Sequence, residues 1–352
     1  MPKDSVIVDP EEAAQVAGLV HVSDDMPGIG RRRSGKGFSY RDAKGALIRD
    51  PRMLARIRAL AIPPAWRDVW ICANPRGHLQ ATGRDARGRK QYRYHPRFRA
   101  FRDSAKFEHM LDFAASLPRI RARVDADMGR RGLPAEKVLA TIVHLLETTM
   151  IRVGNDSYAR ENKSHGLTTL RNRHARTQGS TVRFRFKGKG GKEWDLGLRD
   201  RRVATIIRKV QDLPGQQLFQ YLDEAGERCR VTSTEVNDYL REISGRAVTA
   251  KDFRTWTGTV LAAMALAASE AVDSEAAAKR NVRDAIATVA ATLGNTPAIC
   301  RKCYVHPAII DAYLADELKI ILRAEIDATL GDTDLRDEER QVLRLLKKRL
   351  KP

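Results

Sequence analysis

Acidic residues are in short supply in this chain: 44 Asp and Glu face 64 Lys and Arg, a formal net charge of +20 over 352 residues. Such an excess calls for a polyanionic partner, either nucleic acid or an anionic membrane surface. Long apolar runs are missing too. No stretch of about 18 apolar residues occurs, which excludes a membrane-spanning helix. Met1 to Pro10 is acidic and polar, unlike a secretory leader. The expected partner is therefore DNA or RNA in the cytoplasm. Cysteine is scarce, with only Cys72, Cys229, Cys300 and Cys303, as suits a reducing compartment. Cys300 and Cys303 with His306 imitate half a zinc site, but Cys72 and Cys229 are isolated and offer no second ligand pair. These thiols are expected to pack between helices, with no metal bound. Carboxylate clusters able to hold a metal and a Gly-rich phosphate loop are both absent, so no cofactor is expected.

What the chain does have is uneven. Residues 51–104 hold thirteen Lys or Arg against three Asp, half of the whole excess in about a seventh of the length. Val69–Cys72 reads as a buried strand, Asn74–Gly77 as a turn and His78–Gly83 as the returning strand. The block that follows interleaves Arg84, Arg87, Arg89, Lys90 and Arg93 with Gln91, Tyr92, Tyr94 and His95, a mixture suited to phosphate contacts and stacking. Upstream, Arg31–Tyr40 reads as a basic turn entering a strand. From 105 onward the periodicity turns helical, with Phe107, Met110, Leu111 and Ala114 at i, i+3, i+4, i+7. A boundary near residue 104 follows, with a β-rich domain over 1–104 and a larger, mainly helical domain over 105–352. The fold class is α+β. Within the larger domain, Val182, Phe184 and Phe186 alternate with basic residues. A Gly- and Lys-rich turn over 187–192 then predicts a β-hairpin with lysine at its tip. Helices are predicted near 200–211, 234–243, 258–271 and 275–292, with Thr249–Trp256 as an interhelical segment and a terminal helix over 333–352.

The chain then converges on Gly294–Pro307, where Tyr304 stands between a Gly-Asn turn and a proline, beside Arg301 and Lys302. A lone tyrosine here could simply pack in a helix seam. Its company suggests chemistry at phosphorus. Cutting and rejoining a phosphodiester needs a nucleophile, cations around the pentacoordinate phosphorus and a proton for the leaving oxygen. Guanidinium forks can neutralise two oxygens at once. The candidates are Arg152, Lys189, Arg254, Asn295 and Tyr304, with Lys187 and Lys192 as rivals to Lys189.

In this order, these residues resemble the type IB DNA topoisomerases, in particular their poxvirus-like bacterial branch. The resemblance covers nearly the whole chain. It rests on Ala81–Tyr92, Phe186–Lys189, Lys251–Trp256 and Cys303–Pro307 together with Arg152. It implies a tyrosine recombinase/topoisomerase IB-like catalytic domain, with Tyr304 as nucleophile, Arg152 and Arg254 as the two arginines and Lys189 as general acid. Asn295 falls where many members carry histidine. An amide can donate a hydrogen bond there but cannot shuttle a proton. The resemblance further implies double-stranded DNA as substrate, cleavage through a 3′-phosphotyrosyl link, no ATP or metal, and a nucleoid-associated monomer closing as a clamp around the duplex. Tyr158 and Lys251 match other DNA-facing positions. Two alternatives stay open. A tyrosine recombinase shares the chemistry, though it usually has His-x-x-Arg where this chain has Lys251-x-x-Arg254. A non-enzymatic DNA- or RNA-binding protein needs no Tyr304 at all.

Overall fold

A computed structural model describes residues 10–35, 37–270, 274–318 and 335–350; for 103–108 it describes backbone only. Lys36 in the basic turn, most of the N-terminal segment read against a leader, and the ends of the predicted terminal helix lie outside the described residues. The chain forms two compact units, Met1–Glu108 and His109–Pro352.

In the first unit a short helix α1 (Pro10–Val16) precedes a five-stranded antiparallel sheet, in the order β2-β1-β3-β4-β5. Its strands are β1 (Ile29–Ser34), β2 (Gly37–Arg41), β3 (Arg67–Ile71), β4 (Leu79–Arg84) and β5 (Lys90–Tyr94). Arg31–Tyr40 is thus a complete β1–β2 hairpin rather than a turn leading into one strand, with Arg31 opposite Tyr40. Alternation explains the sheet's core: Ile29, Val69, Ile71 and Ala81 point to one buried cluster shared with Ile57. Ile57 comes from α2 (Pro51–Ala59), which starts on an Asp50 cap accepting from Arg52 N and on Pro51 in its first turn.

Helix α3 (Pro96–Met128) runs through residue 104 without a break and contains Pro118. Of its predicted apolar stripe, Met110 and Ala114 are buried and Leu111 is half-buried; the side chain of Phe107 lies outside the described residues. In the second unit α4 (Ala135–Thr149) is apolar on most sides, burying Val138, Ile142, Val143, Leu145 and Leu146. Next come α5 (Asp156–Asn162) and a three-stranded antiparallel sheet, β6 (Ala175–Gln178), β7 (Thr181–Lys187) and β8 (Glu193–Arg199). Val182, Phe184 and Phe186 are its buried positions, as the alternation predicts. Helix α6 (Arg201–Gln211) buries Val203, Ile206, Ile207 and Val210. A small ribbon follows, β9 (Gln220–Leu222) with β10 (Arg228–Arg230), whose strands are too short for any alternation to announce them. The chain closes with α7 (Ser233–Ser244), α8 (Ala250–Ala267), α9 (Glu275–Leu293), α10 (Pro297–Cys303), α11 (Pro307–Leu314) and α12 (Asp337–Arg349).

Thr249–Trp256 is therefore not an interhelical segment. It is the cap and first two turns of α8. The Thr249 hydroxyl and backbone N–H both donate to Asp252 Oδ2, at 2.8 Å each, satisfying the helix start.

Candidate active site

Arg254 lies one turn into α8 and is 3% exposed. Its Nη1 donates to the Met150 carbonyl, and its Nη2 donates to the Leu293 carbonyl at 2.5 Å. These are carbonyls at the C-terminal ends of α4 and α9, where helix acceptors lack intrahelical partners and the dipole is negative. The guanidinium thus ties two helix ends together. Burial, and then repulsion from Arg152, pushes its pKa down to about 10, with Tyr304 acting in the opposite direction. It remains a cation at neutral pH. Its Nε is buried with no hydrogen-bond partner among the described residues. The guanidinium carbon is 5.2 Å from the centre of the Tyr304 ring.

Arg152 follows Met150, the left-handed residue (φ 57°) that ends α4. The loop is strapped to residues 166–168: Leu167 N donates to Arg152 O at 2.9 Å and Thr168 N to Val153 O at 2.7 Å. Contact this close demands glycines. A Cβ on Gly166 would lie 2.5 Å from Arg152 O, and one on Gly154 (φ +106°) would lie 2.8 Å from Thr168 Oγ1. Held this way, Arg152 Nη2 donates to Asn295 Oδ1 at 2.5 Å. A guanidinium only donates, so it fixes the amide with its oxygen toward Arg152 and its NH2 turned away. That Nδ2 is buried and makes no hydrogen bond among the described residues. The backbone holds Asn295 as well, through its N–H to Ala290 O at 2.8 Å.

Tyr304 caps the C-terminus of α10 and is half-buried. Its backbone lies on α8, where a Cβ on Gly258 would come within 2.6 Å of Tyr304 O and 3.2 Å of Tyr304 Cβ. Thr259 Oγ1 accepts from His306 N at 3.1 Å, fixing the chain just beyond the tyrosine. Neither Gly258 nor Thr259 was singled out from the sequence. The signal was there in Thr257-Gly258-Thr259, small residues in mid-helix that invite close backbone approach. Cys300 is fully buried and burial pushes its thiol up to about 11, which fits a packing role. Among the described residues no group of three His, Cys, Asp or Glu is placed to hold a metal.

The β7–β8 hairpin reaches the same place from another side. Trp194 packs so closely on its own tip and on the end of α9 that a Cβ on Gly188 would lie 2.6 Å from Trp194 Nε1. One on Gly294 would lie 2.8 Å from Trp194 Cζ2. Lys192 Nζ donates to Ala291 O at 3.3 Å. Of the three hairpin lysines, Lys192 is thus committed to α9, Lys187 ends β7, and Lys189 sits exposed at the tip, its ammonium 5.7 Å from the Tyr158 ring centre. The structure therefore brings Arg152, Asn295, Arg254 and Tyr304 together and leaves Lys189 over Tyr158. Lys251 is exposed in the first turn of α8.

In the first unit, the predicted basic block splits between the two faces of β5. Lys90 Nζ lies 5.7 Å from the Tyr92 ring centre and Tyr92 stacks on Tyr94 at 6.0 Å, all on one face. Gln91 and Arg93 take the other face. Gln91 donates to Asp85, and Arg93 donates to Ala61 O at 3.0 Å while lying 5.8 Å from Trp66. Several cations already have partners: Arg89 binds Asp85 and Lys90 binds Asp24, both at 2.7 Å. Arg84 donates to Gly88 O at 2.9 Å, and the side chain of Arg87 is exposed in the β4–β5 turn.

Comparison with known proteins identifies the family. The family described as "Eukaryotic DNA topoisomerase I, catalytic core" matches residues 95–323, and "Bacterial DNA topoisomerase IB, N-terminal domain" matches residues 37–85. The chain is 31% identical over 295 residues to "DNA topoisomerase 1B" of Acanthamoeba polyphaga mimivirus, covering 82% of this chain and 88% of that protein. It is 22% identical over 244 residues to "DNA topoisomerase I" of Monkeypox virus, and 21% identical over 244 residues to "DNA topoisomerase 1B" of Vaccinia virus (strain Copenhagen). Each of these matches covers 65% of this chain and 71% of the viral protein. These matches favour the topoisomerase over the recombinase and over a non-enzymatic binder.

Proposed function

The chain belongs to the type IB DNA topoisomerases, on their poxvirus-like branch, and from that premise we propose that it relaxes supercoiled duplex DNA through a 3′-phosphotyrosyl intermediate. The observation that carries this reading is the convergence of Arg152, Asn295 and Arg254 beside Tyr304. The Tyr304 hydroxyl gives its proton to solvent water as its oxygen attacks a backbone phosphorus. The bond from phosphorus to the 5′ oxygen breaks, and Lys189 gives that oxygen its proton. Arg152, Arg254 and the amide of Asn295 stabilise the charge on the non-bridging oxygens. The free end rotates, and the 5′ hydroxyl attacks the phosphotyrosyl link in reverse. One ester is exchanged for another of similar energy, so no ATP is consumed, and the fixed guanidinium groups supply the charge a metal ion would otherwise bring. For this step the hairpin carries Lys189 from Tyr158 toward the leaving oxygen.

Arg84, Arg87, Arg89, Lys90, Gln91, Tyr92, Arg93, Tyr158 and Lys251 contact the duplex in this reading, and the protein works as a nucleoid-associated monomer that closes as a clamp. Plasmid relaxation in the presence of a chelator and without ATP tests the core of it. Wild type should relax the plasmid and Tyr304→Phe should not; relaxation by Tyr304→Phe would end the proposal. The proton donor has a separate test. A substrate with sulfur as the leaving atom needs no proton, so it should restore cleavage to Lys189→Ala. A variant that stays slow on that substrate removes Lys189 from this role.

A further inference from the structure

A cavity of about 510 Å3 lies in the second unit, and five of its eight lining residues are lysine or arginine. Arg160 comes from α5 and Lys163 is the left-handed residue that ends it. Arg171 and Arg173 belong to the turn at Asn172–His174, and Lys187 ends β7. Among the described residues, none of these five cations pairs with a carboxylate; Arg171 reaches only the Gln216 side-chain oxygen, at 3.2 Å. On the outer face of the neighbouring hairpin the opposite holds, since Arg183 and Arg185 there both pair with Asp195.

Two histidines complete the wall, His165 and His174, with ring centroids 4.6 Å apart. His165 Nδ1 lies 2.7 Å from the Thr169 carbonyl and therefore carries its proton there. His174 Nδ1 accepts from Arg171 N at 3.1 Å, and the Arg173 Nε lies 3.5 Å from its Nε2, so the ring is held by the two arginines that flank it. Burial first, then His165, Arg173 and Arg171, push His174 down to about 4, so it adds no charge of its own.

Five uncompensated cations around one concavity repel one another, and an oxyanion relieves all of that repulsion at once. Arginine forks and lysine ammonium groups are the donors that tetrahedral phosphate oxygens accept. We propose that this cavity is a phosphate-binding subsite, distinct from the cluster around Tyr304, that takes the oxyanions of a DNA backbone or of a free polyphosphate. Arg152, Asn295, Arg254 and Tyr304 do not line it. Only the DNA source rests on the activity proposed above.

The two histidines are built-in reporters. Histidine-labelled full-length protein would be titrated with sodium tripolyphosphate against a chloride control of equal ionic strength. The wild type is compared with the double variant Arg160→Gln/Arg173→Gln, which changes two exposed side chains. The expected result is a saturable shift of the His165 and His174 resonances in wild type, with the apparent affinity weakened roughly tenfold or more in the variant, as expected for the loss of charge-assisted bonds. Duplex binding across salt concentrations separates the sources. A log–log slope shallower by about two in the variant assigns the subsite to backbone phosphates. An unchanged slope with a retained tripolyphosphate response assigns it to a free polyphosphate. No saturable shift and no change in slope overturns the proposal. Neither readout needs strand cleavage, so an inactive Tyr304→Phe protein should show the same shifts and the same slopes.

Discussion

Asn295 carries no charge, yet its place is set by a cation: Arg152 grips its oxygen, and the charge of Arg152 also acts on Arg254. The amide NH2 left over is a buried donor with nothing to bind among the described residues, and a buried donor without a partner is costly. A phosphate oxygen would satisfy it. Asn295→Ala should slow single-turnover cleavage by roughly 10- to 1000-fold, the usual loss for one oxyanion donor, while duplex binding stays near wild type. An unchanged cleavage rate would remove Asn295 from the site. Gly258 sets two effects against each other. Alanine in mid-helix ordinarily stabilises by about 1 kcal/mol over glycine. Here its Cβ would meet a backbone carbonyl at 2.6 Å, so the clash dominates and Tyr304 must move. Gly258→Ala should therefore lose cleavage by about 100-fold, as for a displacement of about 1 Å, with no gain in melting temperature.

Helix α8 is the element on which the site depends most, and it shows how far a sequence can be read. The resemblance put forward Arg152, Lys189, Arg254, Asn295 and Tyr304, of which the structure gathers all but Lys189, and the hairpin was legible through its alternation. The start of α8 was missed because Lys251–Trp256 lacks a clean apolar stripe: Phe253, Arg254, Thr255 and Trp256 are all buried in a row. The Thr249-x-x-Asp252 capping box was the available signal. Contacts such as Arg152 to Asn295, 143 residues apart, and Arg254 to two helix ends follow from tertiary packing, and no local pattern encodes them. The same start of α8 is tied to pH. His109 Nε2 lies 3.4 Å from Asp252 Oδ2. The hydrogen bond to Asp252, and then the charges of Asp252 and Asp112, raise its pKa above 6.5 against burial and Arg246. A raised folded pKa stabilises fully below the unfolded value and is lost as pH rises through the folded one. His109→Gln should thus lower the melting temperature more at about pH 5.5 than at about pH 8.5. A pH-independent difference would mean the pair carries no charge in the fold.

At the scale of the whole molecule the dominant quantity is the excess of twenty positive charges, half of it between residues 51 and 104. Binding that neutralises phosphates releases counterions, with a log–log salt slope of about −0.9 per contact; six to ten contacts cost about 1000- to 100,000-fold in affinity between about 50 and 200 mM salt. A steep slope is expected for duplex binding, and with it a loss of relaxation. The free protein, however, already spends part of its positive charge internally. Lys90 is held by Asp24 at 2.7 Å, and Asp24 also accepts from the buried Thr82 hydroxyl at 2.9 Å. A phosphate can engage Lys90 only by displacing that carboxylate. Asp24→Asn keeps an oxygen for Thr82 and removes the competing charge. It should therefore tighten duplex binding and steepen the salt slope by up to about one. If the slope and affinity of Asp24→Asn match wild type, Lys90 stays with residue 24 in the complex, and the face of β5 bearing Lys90, Tyr92 and Tyr94 is not where this unit meets DNA.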